Sequence, residues 1–466
     1  MEDAKEKSIH HTTVKICEDL KKSVSYMSLY ENVQKLVVTP SVKPDDFKIS
    51  LLKAMQENGL ESELKNSIYR WVKSRKKEVS PHDPFFRKCQ IHWDKRIHKS
   101  LNSMCSELGI HLAKLRTTNE KEEISNKWTE LSNFEVDIHK YRPVYAPKDF
   151  LEVLLNLKGP LKDKNQGDHW EFSQIPLKVK NLAELRSFYL EVSRGDQILR
   201  ANNSFTSTNS AVYEAERIAL GEKILAKNYA PLAQEYMKKG CPRCLRAKIW
   251  SLLLGCEIRQ HVMLCFSRDS EILKNLPSQP AFMQVVVTGK QNSSENTVVF
   301  PPSGVIPFHG FTMYAAPFCY LYENPVELYF VFRAFYLRYW HRLHRVCANS
   351  QGVVSLCLQF EKLLQCYEPV LWNHFKKYKI PPLRVVIKWI MRAFSGHLPP
   401  EQLLTLWDLI LAYDSLEIIP LLAVVIVIFR KDNLMKVTTL QNVEAVLADL
   451  SSIAVVPLLQ MALMRE

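Results

Sequence analysis

The sequence predicts an all-α protein, with a helical N-terminal region followed by an all-helical C-terminal domain. Three observations lead there. Glycine is scarce, 13 in 466 residues, against an average near about 7%; β-rich and glycine-rich nucleotide folds consume glycine in turns and phosphate loops. Apolar residues recur at spacings of three and four along most of the chain. Hydrophobic residues make up 47% and charged residues 24%, the balance of a folded chain and not of a disordered one. The length suits two or three domains. The expected division is a mainly helical region over 1–200, a linker over 201–211, and a domain over 212–466 whose core signature occupies 240–435.

The elements follow in order. A first helix is expected over 14–38. Asp45 and Asp46 then precede the apolar set Phe47, Ile49, Leu51, Leu52 and Met55, with Gly59 beyond it; acid at the start and glycine past the end are helix signals. A longer helix is expected over 85–115, with Phe86, Cys89, Trp93, Ile97, Leu101, Met104, Cys105 and Leu108 on one stripe. The 120–136 stretch is a weaker candidate. Pro143, Pro147, Gly159, Pro160, Gly167 and Pro176 interrupt the next stretch, where 170–179 has room for a short strand. The ANNSFTSTNS run at 201–210 carries no charge and almost no apolar residue, which marks the main boundary. Gly240 then ends a helix and Pro242 opens the next, whose face is Leu245, Ile249, Leu252 and Leu253, closed by Gly255. A polar loop is expected over 278–304, and helices over 312–346, 353–366, 382–394, 400–413, 417–429 and 440–450. The apolar run at 418–429 is too short to span a bilayer and reads as a buried core helix.

The eleven cysteines are odd in number and several sit in apolar helical patterns; with no apolar leader after Met1, the expectation is a reduced, cytoplasmic protein. The formal net charge of +13 is uneven. Between Lys65 and Lys99, eleven Lys/Arg face only Glu78, Asp83 and Asp94. A solvated helix face, an acidic partner and an anionic membrane surface are all open readings of that run. Nucleic acid is not expected, because no DNA- or RNA-binding motif accompanies it.

Several chemistries are excluded by pattern. There is no GxGxxG or GxxxxGK[ST] phosphate cradle, no GxSxG and no HExxH. Cys241 and Cys244 form a CxxC without the second pair that a zinc site needs. His341 and His344 lie among Arg338, Arg342 and Arg345, where positive charge opposes a metal. No metal site and no cofactor are expected, and the chain is not expected to be an enzyme in its own right.

Three segments carry specific information. The first runs Gly240-Cys-Pro-Arg-Cys-Leu-Arg246-Ala-Lys-Ile-Trp250-Ser-Leu-Leu-Leu-Gly255. The second is Ile306-Pro307-Phe308-His309-Gly310-Phe311. The third is Arg384-Val-Val-Ile-Lys-Trp389-Ile-Met-Arg-Ala-Phe394-Ser-Gly396, continuing to Leu406-Trp407-Asp408. In this order they resemble the TBC domain, the all-helical module of Rab GTPase-activating proteins. The residue-level reading of Trp250, Trp389 and Trp407 is core packing and no chemistry; with Arg246, Gly255, Arg384, Phe394, Gly396 and Asp408 they form a fold signature.

The resemblance implies a Rab-family small GTPase as partner, a role in vesicle trafficking and a place peripheral to endomembranes. It also implies a mechanism. An inserted arginine neutralises charge that builds on the transferring phosphoryl group, worth about 10³–10⁵ in rate, or roughly 4–7 kcal/mol of barrier. The family supplies that arginine from an I-x-x-D-x-x-R helix, and a water-orienting glutamine from a Y-x-Q-G turn. In this sequence His309 occupies the glutamine position, with Pro307, Phe308 and Gly310 as the neighbouring GTPase-binding residues. Neither Arg259 nor Arg268 has the required Ile and Asp, and Ile91-His-Trp-Asp94-Lys-Arg96 places its arginine one residue early. No arginine finger is found. Only 59 positions separate Trp250 from His309, tens fewer than is usual in the family it resembles, and by that resemblance one or two helices are expected to be missing near 258–262. The expectation is a regulator of Rab GTPases with weak or absent catalysis; the alternative is a non-catalytic scaffold that binds a Rab or a trafficking partner.

Overall fold

The structure is a computed structural model that describes residues 13–14, 16–18, 20–38, 44–74, 83–108, 119, 142–143, 145–155, 175, 177–194, 207–256, 305–306 and 308–464. The candidate helix at 120–136 and the polar loop at 278–304 lie outside the described residues. The described helices fall into two compact units.

The first unit holds the helices Val24–Val38, Pro44–Glu57, Leu60–Ser74, Ser207–Lys227, Ala230–Met237 and Arg243–Leu254. Leu29, Ala54 and Leu60 form a small core with Leu20, Tyr26, Val33, Leu51 and Met55 around it. A left-handed Gly59 separates the second and third helices. Asn66 ties Leu60–Ser74 to the later segment: its Nδ2 donates to the Asn228 carbonyl (2.7 Å) and its Oδ1 accepts from the Ala230 amide (2.8 Å). Tyr69 donates to Gln234 Oε1 (2.6 Å). The Arg217 guanidinium lies 3.7 Å over the Tyr236 ring, and each residue's side chain donates to the other's carbonyl. Arg243–Leu254 turns Leu245, Ile249, Trp250 and Leu253 inward and ends at a left-handed Gly255, the expected glycine stop. Arg246 is buried with them.

The grouping differs from the division read from sequence. Residues 241–256, which open the TBC-like signature, group with the N-terminal helices. The expected linker also contains a helix start at Ser207. The reason is local: Ser, Thr and Asn read as loop formers, yet the same residues favour helix entry.

The second unit is built on Ile418–Phe429, buried on every side from Ile418 to Val427, as befits a helix apolar all round. Val353–Tyr367, Leu383–Met391 and Val455–Met464 pack around it. Pro400–Tyr413 lies beside it with Leu403–Tyr413 buried. The N-terminal region contributes Asp83–Leu108, whose Phe86, Trp93, Ile97 and Leu101 are buried, and Pro147–Leu155, which packs on Leu383–Met391. Capping by sequence is visible: Asn181 and Glu184 form a reciprocal box at the start of Leu182–Phe188, and Asn324 caps Pro325–Arg338 at a first-turn proline. An aromatic core joins Phe318, Phe335, Trp340 and Trp407, with Trp340 at 4.8 Å from Phe335 and 4.9 Å from Trp407.

Two details depart from the sequence reading. Of the 170–179 stretch, 177–179 is not strand, and 170–174 and 176 are outside the described residues. A two-residue parallel pair instead joins Arg142–Pro143 to Val305–Ile306. Several helices escaped the sequence reading, among them Leu60–Ser74, Pro147–Leu155, Leu182–Phe188, Pro369–Lys377 and Val455–Met464. Most of these are short, so each shows only two or three repeats of the helical period.

Candidate functional site

The turn that carries His309 is fixed from below. Phe308 is buried and stacks on the His344 ring at 4.0 Å. The His309 amide donates to the Tyr145 carbonyl (2.8 Å). His344 is itself buried between two tyrosines: Nδ1 is 2.9 Å from Tyr145 Oη and Nε2 is 2.9 Å from Tyr314 Oη. Tyr314 donates its hydroxyl hydrogen to the Met391 carbonyl. A hydroxyl has one hydrogen, so Tyr314 accepts from His344 Nε2–H, and His344 Nδ1 accepts from Tyr145. The chain of donors therefore runs Tyr145, His344, Tyr314, Met391, with one assigned tautomer. Burial pushes His344 down to about 3, and both tyrosine hydroxyls are held well above their usual value by the same desolvation. The network is neutral at physiological pH.

Met391 ends the helix that delivers the second half of the site. Leu383–Met391 buries every residue except Arg384 and Lys388. The turn after it is strained: Ala393 (φ 46) and Phe394 (φ 64) are left-handed, followed by Gly396 (φ 77), and such non-glycine residues cost of order 1–3 kcal/mol each. Packing holds the turn. Phe394 is buried and stacks on buried Trp389 (5.6 Å). Buried Trp407 donates from Nε1 to the Ala393 carbonyl (3.1 Å), and Ser395 donates to the Met313 carbonyl. Asp408 is buried beside Trp407 on the same helix.

This places Arg392 against the His309 turn. Its Nη2 lies 3.1 Å from His309 Nδ1 and 3.3 Å from the His309 carbonyl. Gly310 (φ 95) is the condition for that approach, since a Cβ there would sit 2.6 Å from Arg392 Nε. The His309 side chain is exposed. Next to Arg392, His397 is pushed down to about 4 by burial and by the charges of Arg392 and Lys388.

The expected site residues thus separate. His309 and Gly310 form the exposed turn. Phe308 faces inward, so its side chain anchors the turn and is not a contact surface. Pro307, Arg259 and Arg268 lie outside the described residues, as does the junction at 258–262. Arg384 is exposed; Trp250, Trp389, Phe394 and Trp407 are buried. Arg96 is paired with Glu152 (3.5 Å) and Asp149 (3.9 Å) at the surface. Of the basic run, Lys65 pairs with Glu61 (2.6 Å), Arg75–Lys77 are outside the described residues, and the rest divides between the two units. Cys241 is buried and Cys244 exposed, and neither is in a disulfide among the described residues. The residue that composition and motif missed is Arg392. Its signal was present as the four-residue spacing of Arg384, Lys388 and Arg392 on an otherwise apolar helix.

With this geometry in view, the family model of the Rab-GTPase-TBC domain matches residues 308–435, which holds the turn, the strained loop and the Trp407 helix. TBC1 domain family member 19 of Homo sapiens is 39% identical over 96% of this chain and 96% of its own length. The chain belongs to the TBC family. The TBC1 domain family member whacked of Drosophila melanogaster is 24% identical over 44% of this chain and 59% of itself. A TBC domain-containing protein kinase-like protein of Dictyostelium discoideum is 23% identical over 42% of this chain and 20% of itself. The alignment with the human TBC protein is 510 positions long, more than the 466 residues of this chain. The human relative therefore carries internal residues that this TBC protein lacks. No helix among the described residues is long and apolar enough to cross a membrane.

Proposed function

We propose that this TBC protein binds a Rab-family GTPase on the face formed by the 308–311 turn and the Arg384–Arg392 row, and regulates it with little or no acceleration of GTP hydrolysis. One observation carries the second part. A guanidinium only donates, so in the 3.1 Å contact with Arg392 the His309 Nδ1 is the acceptor. The remaining ring nitrogen is then Nε2–H, a donor alone. A donor holds a water by its lone pair, the pair that must attack phosphorus, and it takes no proton. A carboxamide donates and accepts from one planar end, which this imidazole does not reproduce. The absence of an I-x-x-D-x-x-R motif in the sequence supports the same reading. The protein then acts as a binding regulator in vesicle traffic at cytoplasmic membrane surfaces.

Single-turnover GTP hydrolysis across a Rab panel tests this. The expected result is measurable binding with less than about tenfold acceleration, against about 10³–10⁵ for a supplied arginine. Acceleration of about a hundredfold or more refutes weak catalysis, and His309→Ala then reports whether His309 contributes. Absence of binding to every Rab refutes the Rab reading.

A further inference from the structure

The second unit holds a cleft of about 440 Å³ between Leu182–Phe188, Val353–Tyr367, Ile418–Phe429 and Val455–Met464. Close-packed interiors leave few voids larger than a water molecule, whereas small-molecule sites run from about 300 to 1,000 Å³. The floor is aliphatic: Leu182, Leu363, Leu421, Val425 and Leu458 line it and are buried. The mouth reaches solvent at Tyr367, Met461 and Phe429, which are 43%, 52% and 54% exposed. Two of the lining side chains are charged, Arg186 and Glu368, and they are not equivalent. Glu368 is neutralised by Lys431 at 2.6 Å. Half-buried Arg186 has neither a carboxylate partner nor a hydrogen bond among the described residues. Tyr367 feels that charge, since burial raises its hydroxyl and Arg186 opposes the rise. The reciprocal cap of Asn181 and Glu184, with buried Leu182 and Leu185, holds the Arg186 helix in place.

A deep aliphatic floor with one uncompensated cation at its edge selects a ligand of two parts, an apolar body and a single anionic head. At roughly 30 Å³ per methylene, the volume of a water molecule, the space takes an acyl chain of about 12–15 carbons. A peptide helix about 10–12 Å across occupies roughly 400–600 Å³ per turn, as much as the whole cleft, so a single chain is enclosed more completely than a helix. We propose that this cleft binds a long-chain fatty acid, with its acyl chain along the aliphatic floor and its carboxylate at the Arg186 guanidinium. Arg186 sets the preference for an acid, and the floor supplies the affinity for the chain. The site uses none of the 308–311 turn and does not depend on the Rab-binding reading.

The test is calorimetric titration of the full chain with laurate, below its micelle concentration, and with the uncharged alcohol dodecanol. Wild type is compared with Arg186→Gln, Arg186→Lys, Ala462→Phe and Met461→Asp. Wild type is expected to bind a single laurate, about tenfold tighter than dodecanol, the scale of one charge-assisted hydrogen bond. Arg186→Gln is expected to bring that ratio below about twofold with dodecanol affinity unchanged, and Arg186→Lys to keep part of the preference. Ala462 lines the cleft, so Ala462→Phe is expected to fill it and weaken both ligands at least about tenfold. Met461→Asp, at the exposed rim, keeps the test decisive if Ala462→Phe does not fold, and is expected to weaken laurate more than dodecanol by repulsion. A merely structural Arg186 would lower both affinities and leave the ratio intact, which overturns the head assignment. No saturable laurate binding, equal affinity for acid and alcohol, or binding indifferent to the cleft variants overturns the proposal. Dimerisation that Ala462→Phe or Met461→Asp abolishes, without laurate binding, assigns the cleft to a second copy and overturns it as well.

Discussion

Replacing Gly310 by alanine perturbs the site in two separable ways. The backbone stands at φ 95, a region where a Cβ costs about 1–2 kcal/mol. The new Cβ would also lie 2.6 Å from Arg392 Nε, 2.7 Å from Cζ and 2.8 Å from Nη2. Those atoms end a flexible side chain, so the guanidinium swings away and the fold is kept. Its hydrogen bonds to His309 are lost, at about 0.5–1.5 kcal/mol for a half-exposed group. The expected total is about 1.5–3.5 kcal/mol, or a fall in melting temperature of about 3–14 °C. The assay is thermal denaturation of wild type, Gly310→Ala, Arg392→Ala and the double variant. With Arg392 already truncated, Gly310→Ala is expected to cost only its backbone share of about 1–2 kcal/mol, and the difference between backgrounds is the Gly310–Arg392 coupling. Equal losses in both backgrounds would show that Arg392 does not pack on Gly310. No loss in the Arg392→Ala background would refute the backbone strain.

Further outcomes follow from the same geometry. His344→Ala removes the ring between Tyr145 and Tyr314 and leaves a cavity with unsatisfied hydroxyls, expected to cost about 3–5 kcal/mol; amide exchange at His309, which bonds the Tyr145 carbonyl, should quicken disproportionately, and unchanged protection would contradict the anchoring role. His341, His344 and His397 are all lowered, to about 4, 3 and 4, chiefly by burial. Each is neutral when folded and takes a proton when unfolded below its ordinary value, so stability is intact above about pH 6.5 and declines as pH falls toward 3–4. Denaturant titrations of wild type and His344→Phe should therefore differ in slope by about 1.4 kcal/mol per pH unit across that window, and parallel slopes would mean that His344 is not held neutral. In the first unit, a Cβ on Gly221 would sit 2.4 Å from Leu245 Cδ1 and 2.7 Å from Tyr236 Oη; Gly221→Ala is expected to cost about 1–3 kcal/mol by overpacking, visible as a lower urea midpoint, and a neutral result would argue against that helix contact.

Much of the helical architecture was legible because burial imprints a period. Phe86, Trp93, Ile97 and Leu101 recur as one stripe and are buried together. The unbroken apolar run at 418–429 is surrounded on all sides. Gly59, Gly240, Gly255 and Gly396 all take positive φ at or near helix ends, where glycine lacks the Cβ penalty. The family motifs at 308–310 and 384–408 were legible for the same reason, since buried tryptophans and obligatory glycines tolerate few substitutes.

What remained hidden was every relation between residues far apart in the chain. Periodicity reports which face of a helix is buried, and says nothing of what it is buried against. Thus His344 read as one histidine in a basic helix, and only packing puts it between Tyr145 and Tyr314, with its tautomer set by the Met391 carbonyl. The grouping of 241–256 with the N-terminal helices is likewise a matter of long-range contacts, which composition at 201–211 does not encode. The resemblance of the sequence to the family leads to the expectation that His309 stands where that family has a glutamine. The tertiary structure decided what that histidine can do, because it brings Arg392 to its Nδ1 from 83 residues away and so commits the ring to donating.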